Sequence, residues 1–192
     1  MDNKIDYKFV TGKEYYTTKG YVPKVNNAPH ANSGVTVATG FDLKEKNEQF
    51  LKDMGVEPLV INKLSKYFGL SGDKAQKKLD QEPLRLESHE AEELSRLAKA
   101  WYTSNIANQY EKATGYNKKF YDLSAAQQTV IYSVGYQYGS LNRTPTFLKH
   151  AVDNNWQEMY NELMDFNDIY PTRRKSEAEL LLKELNDPLN IK

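Results

Sequence analysis

At Lys44 the character of the sequence changes, and this change constrains the fold more than any other feature. Up to Leu43 the chain is rich in Gly, Pro, Asn, Thr and Tyr, and "TTKGYVPKVNNAPHANSG" offers turns and short strands with no helical periodicity. From Lys44 onward apolar residues recur at helical spacing. A short antiparallel sheet followed by a run of helices is an α+β arrangement. We expect one domain over residues 1–192, with a small N-terminal lobe over 1–70, a larger helical lobe over 71–192, and a ligand-holding cleft where they meet.

The helices carry their own punctuation. "EKNEQFLKDMG" and "EPLVINKLSKYFG" read as two short helices closed by Gly55 and Gly69, with Pro58 in a first turn. The stretch from Glu87 to Gly115 is the longest candidate, with Ser88 as its expected cap and Leu94, Leu97, Ala98 and Trp101 on one face. "SAAQQTVIYSVGYQYG" opens with Ser124 and Gln127 at capping-box spacing and is apolar enough to be the central buried helix. Gly135 within it predicts a close helix contact. Trp156, Met159, Tyr160, Leu163 and Met164 form an amphipathic stripe expected in the core, and "EAELLLKELN" makes a last helix that stops before Pro188.

Composition narrows the function classes. The 26 basic and 26 acidic side chains cancel, so no global field draws the chain to nucleic acid or to an anionic membrane. No apolar run is long enough to span a bilayer and "MDNKIDYKFV" lacks the features of a secretory signal, which predicts synthesis in the cytoplasm. The sequence contains no cysteine, which removes disulfides and thiol nucleophiles, and His30, His89 and His150 are scattered without ligand spacing. Neither a bound metal nor another cofactor is expected. Strings for a nucleophile elbow, a dinucleotide fold or a phosphate loop do not occur.

Carboxylates remain as the chemistry-bearing groups. Cleavage of a glycosidic bond needs one carboxylic acid to protonate the leaving oxygen and a second group to activate or hold water on the opposite face. Ahead of the helices stand Asp2, Asp6, Glu14 and Asp42, the first two near the terminus. Glu14 precedes Tyr15, Tyr16 and Tyr21, surroundings that can desolvate a carboxyl and raise its pKa towards a general acid's. Asp42 follows "NSGVTVATGF", whose alternation reads as a strand, and it also suits the N-cap of a helix starting near Lys44. On that strand Val35 and Val37 are expected to enter the core, with Thr36 and Ala38 on the opposite face. Gly34 and Gly40 would let backbone approach a ligand, and Gly40 would let the chain turn to aim Asp42.

The order Glu14, "GYVP" and "NSGVTVATGFDL" resembles the catalytic segment of the pesticin-type muramidases, bacteriocin domains related to phage lysozymes. The later "VIYSVGYQYG", "NNWQEMYNELMDF" and "IYPTRRKSEAELL" are similar to the C-terminal helices of phage lysozymes, so the likeness runs from about Tyr7 to Leu185. It implies Glu14 as general acid, Thr36 as the hydroxyl that positions a water and Asp42 as the carboxylate partner. Thr39 competes with Thr36, because a slip of one residue exchanges the faces of a strand. The resemblance also implies that Arg173, in the Pro-x-Arg turn, pairs with the catalytic glutamate, and that Gln137 faces sugar. Two departures stand out: about Pro23 occupies the place where phage lysozymes carry an aspartate, leaving that role to Asp42, and Tyr15 follows Glu14 where many relatives have glycine.

Fold and function follow from the resemblance as expectations. The fold is lysozyme-like, and the activity is hydrolysis of the β-1,4 bond between N-acetylmuramic acid and N-acetylglucosamine in peptidoglycan, by an inverting course. The partners are glycan strands and, for an antibacterial toxin, a periplasmic immunity protein; nucleic acid and membrane insertion are not expected, and the chain is expected to be a monomer. It would act in the periplasm or cell wall after delivery by another system. Two other readings stay open: a peptidoglycan-binding or structural module without turnover, and a hydrolase of chitin-like polymers.

Overall fold

The computed structural model describes residues 2–12 and 16–186. Nine α-helices and five short strands occur among them, with the strands confined to the N-terminal quarter of the chain. The arrangement is α+β, as the change at Lys44 implies. The chain divides into two compact units, one of residues 14–101 and one of residues 1–13 with 102–192.

The first unit is built around an antiparallel sheet. Strands β1 (Tyr16–Tyr21), β4 (Thr36–Thr39) and β5 (Phe41–Asp42) pair in the order β1-β4-β5. Strands β2 (Lys24–Val25) and β3 (Ala28–Pro29) form a separate hairpin. Its two-residue loop is Asn26-Asn27, both with positive φ, the conformation that matches the twist of the flanking strands and that asparagine tolerates. β1 bulges opposite β4 between Thr17 and Tyr21. On the other edge of that bulge the chain at 84–86 docks: Gly20 N–H donates to the Leu84 carbonyl at 3.0 Å and Leu86 N–H to the Thr18 carbonyl at 2.9 Å. Gly20 permits this approach, since a Cβ there would stand 2.8 Å from that of Leu84.

Three helices follow, α2 (Glu48–Asp53), α3 (Pro58–Ser65) and α4 (Gly72–Gln81). Asn47 caps α2 by accepting from Phe50 N–H at 2.8 Å, and Gly55 and Gly69 take the left-handed conformation expected of them after α2 and α3. Asp42 therefore does not cap a helix; α2 starts six residues later, at Glu48. The sheet and helices meet over Val35, Val37, Leu43, Leu51 and Leu64, all without exposed surface. Burying side chains of this size is worth about 1.5–3 kcal/mol each.

Helix α5 (Ser88–Ala113) supplies residues to both units. Ser88 is its first residue rather than its cap, and Glu90 reaches back to the Glu87 N–H at 2.9 Å, half of a capping box set one residue earlier than the sequence suggests. In the second unit, α1 (Tyr7–Thr11) and α6 (Ala125–Tyr138) pack together, and Tyr7 meets Tyr132 edge-on at 5.4 Å. Ser124 and Gln127 form the full capping box, and α6 is the buried helix foreseen, with the run from Thr129 to Gly135 enclosed. A Cβ on Gly135 would come within 2.9 Å of Ile106 Cδ1 in α5, which is the close helix contact its position predicts. Helices α7 (Pro145–Val152), α8 (Trp156–Met164) and α9 (Pro171–Leu185) complete the unit. The stripe on α8 is narrower than its spacing suggests: Met159 and Leu163 are buried, but Met164 is 50% exposed.

Candidate active site

Thr36 and Asp42 lie directly opposite each other across the antiparallel β4–β5 pair. Directly opposed residues on such a pair project to the same side of the sheet. The turn joining the two strands uses Gly40 at φ +68°. Ala38, wholly buried, also sits in the left-handed region at φ +56°, a conformation that costs a residue with a Cβ about 1–2 kcal/mol. This kink, set against the bulge in β1, breaks the simple alternation expected of the strand. Val35 and Val37 enter the core as predicted, but Thr36 and Ala38 are buried with them, Thr36 at 4% exposure.

The Gly34 peptide ties the pair together. Its N–H donates to Asp42 Oδ2 at 3.0 Å, and its carbonyl accepts from the Thr36 hydroxyl at 3.3 Å. The other carboxylate oxygen of Asp42, Oδ1, accepts from Lys44 N–H at 2.7 Å. A Cβ on Gly34 would stand 2.4 Å from Asp42 Oδ1 and 2.7 Å from the Lys44 nitrogen, so only glycine lets this carboxylate close on the backbone. The structure thus gives Gly34 a task different from the one expected: it makes room for Asp42 rather than for a ligand. A carboxylate offers about four lone-pair directions, and the backbone takes two of them. Thr39, the rival hydroxyl, stands opposite Tyr16 and shares a hydrogen bond with Ser95 Oγ at 3.0 Å. Glu14 lies outside the described residues.

The other two residues singled out by the sequence, Gln137 and Arg173, belong to the second unit. Pro171 opens α9, and the next turn carries two consecutive arginines. Arg173 is far from a solvated helix-start side chain, with only 9% of it exposed. Its Nε donates to Glu177 Oε1 at 3.3 Å and its Nη2 to Ser133 Oγ at 3.1 Å. Ser133 in turn donates to Glu177 Oε1 at 2.5 Å. Arg174, also enclosed, donates from Nη1 to Glu177 Oε2, from Nη2 to Gln137 Oε1, and from Nε to Asp168 Oδ2 at 2.9 Å. Its guanidinium lies 4.9 Å from the Phe166 ring centroid. The amide oxygen of Gln137 is thereby engaged by an arginine.

Burial pushes the Glu177 carboxyl up, and Arg174, Ser133 and Arg173 pull it back. Burial and the hydrogen bond to Asp168 likewise raise the Tyr138 phenol, to about 12. Beside this cluster Ile169, Tyr170, Pro171, Thr172 and Arg173 line an open groove of about 390 Å³. Ile169 and Tyr170 are 59% and 43% exposed, so the groove presents an apolar wall next to an arginine.

The sequence reasoning missed Arg174, Glu177, Ser133, Asp168 and Tyr138. A signal for the first two was present. On α9 the buried positions are Arg174, Glu177, Ala178 and Leu181, the spacing of a core-facing stripe, and two of its four members carry charge. Among the described residues no group of three or more His, Asp or Glu side chains is arranged to hold a metal ion, and no helix is long and apolar enough to cross a membrane.

A comparison with known families gives a match over most of the chain. A model described as "Pesticin: Bacterial toxin homologue of phage lysozyme, C-term" covers residues 4–157. No curated protein matches the sequence. The matched span contains Glu14, Thr36, Asp42 and Gln137, and it ends before α9 and Arg173.

Proposed function

The chain belongs to the pesticin family, bacterial toxin homologues of phage lysozyme, and from this premise we propose that it is a muramidase that hydrolyses the β-1,4 bond between N-acetylmuramic acid and N-acetylglucosamine. Family membership supports a lysozyme-type hydrolase and a peptidoglycan substrate. The observation that carries the finer reading is the cross-strand pair of Thr36 and Asp42 hung on the Gly34 peptide.

That pair suits water activation. The Thr36 hydroxyl spends its hydrogen on the Gly34 carbonyl, which leaves its oxygen as an acceptor. The Asp42 carboxylate is also an acceptor, and its two backbone donors fix its plane. A water donating one hydrogen to each would turn its own lone pair outward, towards an anomeric carbon. Glu14 is the proposed general acid, which protonates the leaving oxygen as the water attacks. Such a single displacement inverts the anomeric configuration and calls for carboxyl groups roughly 6.5 to 9.5 Å apart. Thr36 is preferred over Thr39 because it faces Asp42 in the strand register, while Thr39 shares its hydroxyl with Ser95.

Arg173 takes the part of the cation paired with the acid, on the strength of the Pro-x-Arg resemblance. Gln137 is proposed to contact sugar through its amide nitrogen, its oxygen being held by Arg174. The chemistry requires no cofactor. Action as a monomer in the periplasm or cell wall, after delivery by another system, and restraint by a periplasmic immunity protein complete the proposal.

The test is release of reducing ends from purified peptidoglycan. The native chain should release them, and Glu14→Gln, Asp42→Asn and Thr36→Ala should each reduce the rate by roughly 100-fold or more, the range for loss of acid/base assistance. A native chain that releases none would overturn the muramidase reading. Activity on chitin oligomers without activity on peptidoglycan would redirect the substrate, and the anomer formed first separates inversion from retention.

A further inference from the structure

Glu177 is a carboxylate without exposed surface on α9, and it is shared by two neighbouring arginines. Burying such a group is unfavourable unless its partners are well placed, and an apolar residue of similar volume often serves stability as well or better. It shares its stripe with Arg174, Ala178 and Leu181, and it is the carboxylate on which the guanidiniums of Arg173 and Arg174 converge. Packing alone therefore does not account for a glutamate here.

The hydrogen bonds show what Glu177 does. Arg173, Glu177 and Ser133 form a closed triangle: Arg173 Nε to Glu177 Oε1, Arg173 Nη2 to Ser133 Oγ, and Ser133 Oγ to Glu177 Oε1. A planar guanidinium held through both Nε and Nη2 has its plane and direction set. Glu177 is itself immobilised through its second oxygen by Arg174. Arg174 is anchored by Asp168 and Gln137 and lies against Phe166 and Tyr138. Orientation is thus handed along a chain from the 165–170 loop through Arg174 and Glu177 to Arg173, one of the residues that line the open groove.

We propose that Glu177, with Ser133, is a positioning residue for glycoside hydrolysis, acting solely through the direction it imposes on Arg173. This rests on the muramidase reading and on the part given there to Arg173. Glu177 touches neither substrate nor reacting atoms, and Arg174 serves it as the brace that keeps its carboxylate from turning.

A double-mutant cycle on kcat/KM for soluble peptidoglycan fragments tests the proposal. Glu177→Gln should lower kcat/KM by roughly 10- to 100-fold, the penalty for a charged group misplaced by about an ångström. Arg173→Ala should lower it by at least as much. In the Arg173→Ala background, Glu177→Gln should then change kcat/KM by less than about twofold, because the group it acts through is gone. The same cycle with Ser133→Ala, a milder change that fits the same space, should give a smaller loss that also disappears in the Arg173→Ala background. This second arm decides the matter if Glu177→Gln fails to fold. Equal losses in both backgrounds, or no loss in either single variant, would overturn the positioning role while leaving the muramidase reading intact. A native chain without hydrolytic activity would overturn both.

Discussion

Gly34 has no side chain, and the geometry around Asp42 depends on that fact. A methyl group there would overlap Asp42 Oδ1 and the Lys44 nitrogen, one a pinned carboxylate and the other backbone, so neither can yield cheaply. Gly34→Ala should destabilise the protein by about 1–3 kcal/mol, the usual cost of overpacking, and should lower glycosidase activity beyond what the lost stability explains. Gly69→Ala is the control. Gly69 has φ +72° with no atom within 4 Å of a built Cβ, so that change costs only the backbone term, about 1–2 kcal/mol. Urea unfolding and reducing-end assays on the two variants should show similar losses of stability and unlike losses of activity. If Gly34→Ala keeps full activity, the tie between Gly34 and Asp42 is not needed for function. Little of this was legible in the sequence. Glycine at position 34 was visible as an interruption of the strand, but nothing in a string of residues tells whether a missing side chain makes room for a ligand or for a neighbour eight residues on.

Among the elements, local signals were readable wherever one short stretch determines them. The Ser124/Gln127 capping box, Pro58 at the head of α3 and the left-handed glycines after α2, α3 and α5 all follow from chemistry within one turn. Removing the cap with Ser124→Ala should cost about 1 kcal/mol, seen as a lowered urea midpoint with no change in kcat/KM per folded molecule. What stayed hidden was set by tertiary partners. The strand around Thr36 loses its alternation because Ala38 adopts a left-handed conformation opposite a bulge in β1, and the charged pair on α9 is satisfied by Ser133, Asp168 and Gln137 from elsewhere in the chain. Helices α7 and α8 hold a related case. Glu162 Oε2 is buried without a hydrogen bond among the described residues, and His150 Nε2 is 3.7 Å away. Burial raises the Glu162 carboxyl above its ordinary value of 4.5, with His150 pulling the other way. A carboxyl raised on folding contributes stability below its unfolded pKa, and that contribution fades as pH rises through the folded one. The native protein should therefore lose stability relative to Glu162→Gln as pH rises above 4.5. Urea midpoints of the two proteins over that rise check the sign, and parallel curves would show that Glu162 does not titrate differently in the folded state.

At the scale of the whole molecule, charge is balanced twice over. The chain has a formal net charge of zero, and each of its two compact units has as many basic as acidic side chains. Balance at both levels leaves no long-range field to concentrate the protein on an anionic cell wall, so attraction has to come from short-range contacts. The groove beside α9 is a candidate for such contacts, since exposed Ile169 and Tyr170 offer apolar and aromatic surface beside Arg173. Stacking and apolar burial are insensitive to ionic strength, whereas interactions between separated surface charges are screened once the Debye length falls below their spacing. Raising salt from about 0.01 M to about 1 M shortens that length from about 30 Å to about 3 Å. Over this range, binding of the inactive Glu14→Gln variant to intact sacculi, followed by co-sedimentation, should weaken by no more than a few-fold. Tyr170→Ala should weaken it more than the entire salt titration does. A steep fall with salt, or indifference to Tyr170→Ala, would mean that surface charge rather than the α9 groove holds the protein on the wall.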